Sequence, residues 1–200
     1  MTMRIAAVLV ALAPAALVAG CATPAYVSPV EVTRFVGDQP RALGSGPIAV
    51  QAAPGTRADS WEYAAFHAAV TDELAKLGYL VTGDMAQQIA EISVQRFIDR
   101  GGGRRSPVDV GVGGSTGTYG SGVGVGIGLN LGGRPADRID TELRVAIKPS
   151  GGVDALWEGR ARFTATDNSA YADQRAAAAK LAGALFSGFP GRSGETIEVR

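Results

Sequence analysis

The chain of 200 residues is poor in the side chains that metal sites and most catalytic centres need. It contains one cysteine and one histidine, so no internal disulfide can form and no second thiolate or imidazole is present to share a metal ion. Its 19 basic and 19 acidic residues cancel. Because a chain without a basic excess has little with which to neutralise a phosphate backbone, we expect no nucleic-acid partner.

The residues that fit catalytic motifs lack the partners that those motifs need. His67 lies inside a predicted helix beside Phe66, and we interpret it as a partly buried structural residue. Ser115 fits the pattern G-x-S-x-G, but a nucleophile elbow needs a strand before it, a helix after it and a histidine within reach. The acidic residues fall on predicted solvated faces, where none pairs with another as acid–base catalysis requires. We therefore expect no catalytic residue, no metal, no cofactor and no enzymatic activity.

The N-terminal residues have the pattern of a secretory signal. Residues 1–4 carry one positive charge, residues 5–17 are apolar except for Pro14, and small residues follow up to Cys21. Such a segment is too short to span a membrane as a helix. Its ending, LVAGC at positions 17–21, resembles the bacterial lipobox, in which the cysteine sulfur receives diacylglycerol. We therefore predict that residues 1–20 are a lipoprotein signal peptide and that Cys21 is the site of lipid attachment.

The lipobox resemblance also implies a location in the cell. It implies two or three acyl chains on Cys21, and more than one chain is needed for stable anchoring. The residue after the cysteine is Ala22. An aspartate at this position would resemble an inner-membrane retention signal. We expect a lipid anchor in the inner leaflet of the outer membrane, with the protein facing the periplasm and residues 21–29 acting as a tether.

Residues 30–200 have the periodicity of a single α+β domain with two helices. Asp59 is predicted to cap the first helix with Glu62 as its reciprocal partner, and Gly78 to end it. A second helix is predicted from Asp167 or Asn168 to about residue 187. The predicted buried stripe of the first helix contains Tyr63, Phe66, Val70, Leu74 and Leu77.

The predicted strands alternate between apolar and polar residues. This alternation covers residues 89–99, 138–148 and 155–163, and shorter strands are predicted at 30–36, 48–52 and 197–199. Alternation of this kind is typical of antiparallel strands with one solvated face. The sequence therefore predicts a two-layer sandwich, with a mainly antiparallel sheet and two helices on one face.

A glycine-rich insert covers residues 101–133, with a period of two at residues 108–112 and 123–131. Valine, isoleucine and leucine alternate with glycine, most regularly between residues 123 and 131. Glycine weakens a strand, so its regular placement is unusual. We predict a β-hairpin extension and leave three interpretations open: a hairpin whose apolar side lies over the domain, a self-association element, or a membrane contact.

Several short motifs resemble one bacterial family. They are ELAKLGY at positions 73–79, AEISV at 90–94 and LWEGRA at 156–161, which precedes an alanine-rich final helix. Together with the lipobox they resemble the bacterial lipoproteins that carry domain of unknown function 4136, over residues 30–189. The resemblance implies an envelope α/β domain, and it carries over no catalytic residue.

Two functional hypotheses follow. The first is a membrane-anchored, non-enzymatic binding or assembly module with an envelope protein or another ligand as its partner. The second is a self-associating structural lipoprotein whose Val/Gly hairpin forms contacts between subunits or with the membrane.

Overall fold

The structure is a computed structural model that describes residues 23–38, 40, 43–83, 85–100, 108–117, 120–129 and 135–200. Residues 25–99 and 137–200 form one compact unit, and residues 100–136 belong to another. The elements in chain order are β1 (Val30–Val36), β2 (Gly46–Ala52), α1 (Trp61–Lys76), β3 (Tyr79–Val81), β4 (Gln88–Asp99), β5 (Val108–Gly117), β6 (Gly120–Leu129), β7 (Arg138–Pro149), β8 (Trp157–Thr166), a short 3-10 helix (Ala170–Ala172), α2 (Gln174–Phe186) and β9 (Thr196–Val199).

The larger unit is built on one mixed sheet with the strand order β3-β2-β4-β7-β8-β1-β9. Strand β2 runs parallel to both β3 and β4. The other neighbouring pairs are antiparallel, and the longest ladder joins β4 to β7 over their full lengths. The structure confirms the predicted two-layer α+β sandwich with a mainly antiparallel sheet.

The core lies between the sheet and the two helices. Alternate residues of β7 and β8 point into it, because successive side chains of a strand face opposite sides. From α1, the predicted stripe is buried at Tyr63, Phe66, Val70 and Leu74, while Leu77 is partly buried. From α2, the core receives Ala177, Ala178, Leu181, Ala182 and Leu185.

The beginning of α1 differs from its prediction. Ser60, not Asp59, is the N-cap, and its hydroxyl accepts a hydrogen bond from the backbone N–H of Tyr63 at 3.1 Å. The predicted reciprocal bond from Glu62 is also wrong, because its buried Oε1 has no hydrogen-bond partner. The end of α1 is as predicted: Gly78 adopts a φ of +102°, which glycine reaches without steric cost.

The beginning of α2 also lies later than predicted. The hydroxyl of Thr166 donates to the side chain of Asn168 at 2.6 Å, and the 3-10 helix then carries the chain to Asp173. Asp173 is the N-cap, with Oδ1 accepting from the N–H groups of Arg175 and Ala176, each at 3.0 Å. The predicted caps are therefore wrong by several residues.

A buried arginine holds the other end of α2. Arg34 lies on the core face of β1 and donates to the carbonyl groups of Leu185, Ala184 and Ser187, at 3.0, 3.1 and 2.7 Å. Burial lowers the pKa of its guanidinium and the charge of Glu195 raises it. The last turn of a helix leaves its carbonyl groups without intrahelical partners, and Arg34 satisfies three acceptors there.

The residues before β1 are already bound to the sheet. Val27 forms a bridge with Ala165 of β8, and the N–H of Tyr26 donates to Thr166 Oγ1 at 2.9 Å. Ser28 exchanges hydrogen bonds with Thr164. Of residues 21–29, predicted as a tether, those from Tyr26 onward therefore run along β8.

The smaller unit contains the predicted hairpin. Strands β5 and β6 pair antiparallel, each ten residues long, so β5 is longer than the sequence indicated. Their register places Gly111 opposite Gly126 and Gly113 opposite Gly124. The intervening Val110 and Val112 lie opposite Ile127 and Val125.

Candidate ligand-binding site

A cavity of about 410 Å³ lies where both α-helices begin, beside the far end of β4. The first residues of α1 form one wall and those of α2 the opposite wall. The core face of β4, which continues past the helices, contributes the floor. The lining side chains are Trp61, Glu62, Arg96, Ile98, Asp173 and Gln174.

The apolar part of the lining is exposed to solvent. Trp61 is 76% exposed and Ile98 is 54% exposed. Trp61 is the first residue of α1 and lies off the buried stripe of that helix, so the fold does not cover its ring. In contrast, Trp157 is fully buried and donates from Nε1 to the carbonyl of Pro190 at 2.9 Å. A large exposed aromatic ring at the rim of a cavity is typical of a recognition surface.

The polar part of the lining contains buried atoms without partners. Glu62 Oε1, Arg96 Nε and Gln174 Oε1 are all buried and make no hydrogen bond. Arg96 is fixed at its other end, where Nη2 donates to the carbonyl of Ala172. Each such atom costs roughly 1–3 kcal/mol when it has no partner. Three of them in the lining of one cavity are unusual, because most buried polar atoms in a folded protein have a partner.

A further polar atom lies next to Arg96 in the sheet. Thr141 of β7 is the direct cross-strand partner of Arg96 and occupies the same core face. Its side chain is only 2% exposed, and its Oγ1 has no hydrogen-bond partner. The unpartnered polar atoms therefore extend from the cavity lining into the sheet below it.

The charges around the cavity are nearly balanced. Arg96 contributes one positive charge, and Glu62 and Asp173 contribute two negative charges. The carboxylate of Asp173 is engaged as the helix cap, and the N-terminal ends of two helices carry partial positive charge. The arrangement suits a neutral ligand that has both hydrogen-bond donors and acceptors.

The face of the sheet opposite the two helices carries a second, larger hollow of about 590 Å³. Glu198, Glu31, Arg162, Glu142 and Gln95 are successive cross-strand partners across this face. Arg162 forms an ion pair with Glu31, in which the N–O distance is 2.5 Å. The aromatic rings of Tyr26 and Phe97 also line the hollow, and both are more than half exposed.

The two hollows differ in how their polar groups are satisfied. On the sheet face the charged side chains of Glu31 and Arg162 are solvated and paired, and exposed pairs of this kind contribute roughly 0–1 kcal/mol. In the cavity at the helix ends, the unpartnered atoms are shielded from bulk water. We therefore take that cavity as the candidate functional site.

The residues considered from the sequence lie away from this cavity. His67 is partly buried on α1, with its ring centroid 5.7 Å from that of Tyr63. Ser115 lies within β5, opposite Gly122, and the strand continues beyond it to Gly117. Cys21 and the predicted signal peptide lie outside the described residues.

The described part of the chain offers neither a metal-binding cluster nor a membrane-spanning helix. No group of three or more His, Cys, Asp or Glu residues there is placed to hold a metal ion. Among the same residues, no helix is long and apolar enough to cross a membrane.

Sequence reasoning did not single out the cavity residues. Trp61, Arg96 and Gln174 come from three separate segments, and each looks ordinary in its own segment. The one available signal was Trp61, a large aromatic residue that does not fit the buried stripe of its helix.

Comparison with known proteins gives weak likenesses. No family model matches this chain. An uncharacterised protein of Zymomonas mobilis is 38% identical over 65 residues, which are 32% of this chain and 24% of that protein. This chain therefore spans about a quarter of that relative.

Solved structures show only remote similarity to this chain. A PDZ domain protein from Parabacteroides distasonis is 14% identical with a TM-score of 0.48, over 87% of this chain and 38% of that one. The PelC dodecamer from Paraburkholderia phytofirmans is 11% identical with a TM-score of 0.46, over 82% of this chain and 99% of that one. These likenesses are too weak to bear on function.

Proposed function

We propose that this protein is a non-enzymatic binding module, held by lipid on Cys21 in the inner leaflet of the outer membrane and facing the periplasm. The observation that carries the binding role is the cavity at the helix ends. Its unpartnered Glu62, Arg96 and Gln174 atoms lie beside the exposed ring of Trp61. The LVAGC sequence at positions 17–21 supports the anchor.

The resemblance to the lipoproteins with domain of unknown function 4136 supports the same proposal. Two of its motifs have structural reasons in this fold. The ELAKLGY segment is the end of α1 with its left-handed Gly78. In LWEGRA, Gly159 leaves room for the ring of Trp157 and for a methyl group of Leu185. Both motifs stabilise the domain, so the binding role rests on the cavity and not on them.

The anchor is tested by replacing Cys21 with serine. The wild-type protein should incorporate labelled fatty acid and sediment with the outer membrane, whereas Cys21→Ser should do neither. As a matched variant, Ala22→Asp keeps the thiol and should move the labelled protein to the inner membrane. Fatty-acid labelling that persists in Cys21→Ser, or a wild-type protein that remains soluble, contradicts the proposed anchor.

The absence of catalysis is tested on the same protein. A serine-reactive fluorophosphonate should fail to label it. Any turnover that is lost when His67 or Ser115 is replaced contradicts a purely binding role.

A second candidate function is self-association through the hairpin. The register of β5 and β6 favours it, because glycine positions lie opposite glycine positions and branched apolar positions lie opposite each other. Between these pairs one side of the ribbon has only hydrogen as its side chains, at Gly111, Gly113, Gly124 and Gly126, and another backbone can approach closely there. Deletion of residues 108–132 should abolish any oligomer seen by light scattering while the circular dichroism of the remaining domain is retained. An unchanged oligomeric mass contradicts this alternative.

A further inference from the structure

We infer that the open edge of β4, residues 93–99, binds an extended segment of a partner protein, which joins the sheet as a further strand. This inference rests on the proposed binding function and names the kind of partner. The open edge begins where the pairing of β4 with β2 ends. The candidate cavity lies along part of it, because Arg96 and Ile98 line that cavity.

Strand β4 loses one of its two neighbours halfway along its length. β2 pairs with it only from Gln88 to Ile92, whereas β7 pairs with the whole strand. The last bond on the β2 side joins the N–H of Ala53 to the carbonyl of Ile92 at 2.8 Å. The remaining residues 93–99, about 20 Å of strand, therefore have a neighbouring strand on one side only.

Three residues of the open edge direct their backbone groups away from β7. The carbonyl of Ile92 points to the β2 side, and backbone groups alternate in direction along a strand. Val94, Arg96 and Ile98 therefore present their N–H and C=O groups on that side. Within the part of the chain that the structure describes, no backbone group pairs with them there. Such a row of unpaired groups is a template for an added strand.

Two hollows lie beside the open edge and adjoin each other. The cavity at the helix ends contacts Arg96 and Ile98, and a hollow of about 350 Å³ contacts residues 93–95. Glu62, near the start of α1, lines both hollows. An added strand would pass through this space and continue the line of β2.

The side chains around the open edge specify the chemistry of the partner. At its far end Trp61 and Ile98 lie on the helix side of the sheet and Phe97 on the opposite side, and each is more than half exposed. At its near end the lining is polar and includes Thr56 and Arg57. A strand bound here gains most from apolar side chains on both faces at one end and from polar side chains at the other.

The outer edges of the sheet are less suited to such a partner. Their strands, β3 and β9, have three and four residues, and short edge strands are one means by which proteins limit unwanted pairing. The open edge of β4 is longer, and exposed apolar side chains flank it on both faces.

The surroundings of the open edge favour a single segment over a second copy of this chain. Residues 54–57 line the hollow that contacts residues 93–95, so a loop stands next to the edge. A flexible segment needs room for one strand between that loop and β4. The edge of a second folded sheet brings its neighbouring strands and helices with it. We therefore take a segment of a different protein as the occupant.

Amide hydrogen exchange, followed by nuclear magnetic resonance on the full chain as it is expressed, measures whether the edge is open. The N–H groups of Val94, Arg96 and Ile98 should exchange at least about tenfold faster than those of Gln95 and Phe97, which face β7. Equal protection of the two sets in the free protein overturns the inference. It would mean that this chain or a second copy already covers the edge.

Binding is tested with a phage-displayed library of random peptides of about twelve residues, longer than the open edge. Selection on the full chain should enrich proline-poor peptides with adjacent apolar residues at one end. A synthetic peptide of the enriched sequence should slow the exchange of the Val94, Arg96 and Ile98 N–H groups at least about tenfold. A library that yields no enriched peptide, or only proline-rich ones, overturns the inference.

Two N-methylated forms of that peptide test recognition of its main chain. In a bound strand alternate N–H groups face β4 and the others face solvent. Methylation of one alternate set should weaken binding at least about tenfold, and methylation of the other set should change it less than about twofold. Equal effects of the two forms overturn strand addition, whatever the affinity of the peptide.

Two lysine variants locate the binding. Ile98→Lys places a charge at the apolar end of the open edge and should weaken binding at least about tenfold. Leu80→Lys is the matched control, because Leu80 is an exposed apolar residue on the outer strand β3, and it should bind as the wild type does. Equal loss in both variants, or none in Ile98→Lys, overturns the assignment to β4.

Failure of this inference is distinguishable from failure of the proposed function. A peptide that shifts the indole N–H signal of Trp61 without slowing the edge amides overturns strand addition but leaves a binding role for the cavity. The anchor is measured separately, by fatty-acid labelling of Cys21.

Discussion

At the scale of single residues, Arg34 joins the end of α2 to the first strand. Its guanidinium satisfies three carbonyl groups at a place where the helix has no partners of its own. Arginine remains charged even when buried, and its planar fork allows several bonds at once. Lysine at this position would offer a single ammonium group and would not replace all three bonds.

Arg34→Met should lower the free energy of unfolding by about 3 kcal/mol, because it leaves buried carbonyl groups without donors. Chemical denaturation followed by circular dichroism measures the change. Arg160→Met is the control: Arg160 is exposed on the face of the same sheet opposite the helices, and its loss should cost less than about 0.5 kcal/mol. Equal effects of the two substitutions would contradict the role given to Arg34.

Gly159 is required by close packing rather than by its backbone angles. A methyl group at this position would lie 2.3 Å from Cη2 of Trp157 and 2.8 Å from Cδ1 of Leu185. Gly159→Ala should therefore destabilise the protein by about 1–3 kcal/mol, the usual cost of overpacking a core.

Gly183→Ala provides the opposite case within α2. The nearest atom to an added methyl group there is Glu73 Oε1, 3.9 Å away, so the group fits. Alanine in a helix interior is more favourable than glycine by about 1 kcal/mol, so the stability of this variant should be unchanged or higher. Thermal unfolding of both variants distinguishes a packing requirement from a general intolerance of alanine.

At the scale of secondary-structure elements, the N-cap of α1 gives a direct test. Ser60→Ala removes the acceptor for the Tyr63 N–H and should cost about 1 kcal/mol. Asp59→Ala changes the neighbouring residue, which the sequence favoured as the cap. It should lower the free energy of unfolding by only a few tenths of a kcal/mol. A larger effect at Asp59 would show that the helix begins one residue earlier in solution.

Most elements could be predicted because their signals are local. The alternation in β7 and β8 and the stripe in α1 are each contained in fewer than twenty residues. The caps could not be fixed, because Asp59 and Ser60 are both good capping residues and backbone geometry decides between them. The parallel pairing of β2 with β3 and β4 could not be predicted from the sequence either, because it depends on contacts between distant segments.

The candidate site was even less accessible to sequence reasoning. Arg96 is one polar residue in an alternating strand. Gln174 follows the N-cap Asp173, whereas the sequence predicted Asp167 or Asn168 as the cap. Only folding brings them to the same cavity as Trp61. The sequence gives no sign that their buried atoms lack partners, since that property depends on the geometry of three elements together.

At the scale of the whole molecule, two buried tyrosines make the stability depend on pH in alkaline solution. Burial raises the pKa of Tyr79 and of Tyr63. Below about pH 10 these side chains are protonated in both the folded and the unfolded chain. Above it the unfolded chain loses its protons first, so the free energy of unfolding should fall as pH rises.

Tyr79→Phe should flatten this fall at pH values above the ordinary tyrosine pKa of about 10. The variant also loses the bond that Tyr79 Oη accepts from the N–H of Gly44, so its stability should be lower at neutral pH. Tyr26→Phe is the control for removal of a hydroxyl from a half-exposed ring. Urea denaturation at several pH values measures the slopes, and identical slopes in wild type and Tyr79→Phe would contradict the prediction.

The docking of Val27 on β8 limits how far this domain can stand from a membrane. Val27, Ala165, Ile139 and Ile98 are successive cross-strand partners, so the chain enters the sheet on the same row that reaches the candidate cavity. From Cys21 to Tyr26 there are five residue steps, which extend to about 18 Å at most. If Cys21 carries lipid, the domain stays within a thin layer next to the bilayer and does not reach the rest of the periplasm. Its ligand must then be located at that membrane or extend into the layer next to it.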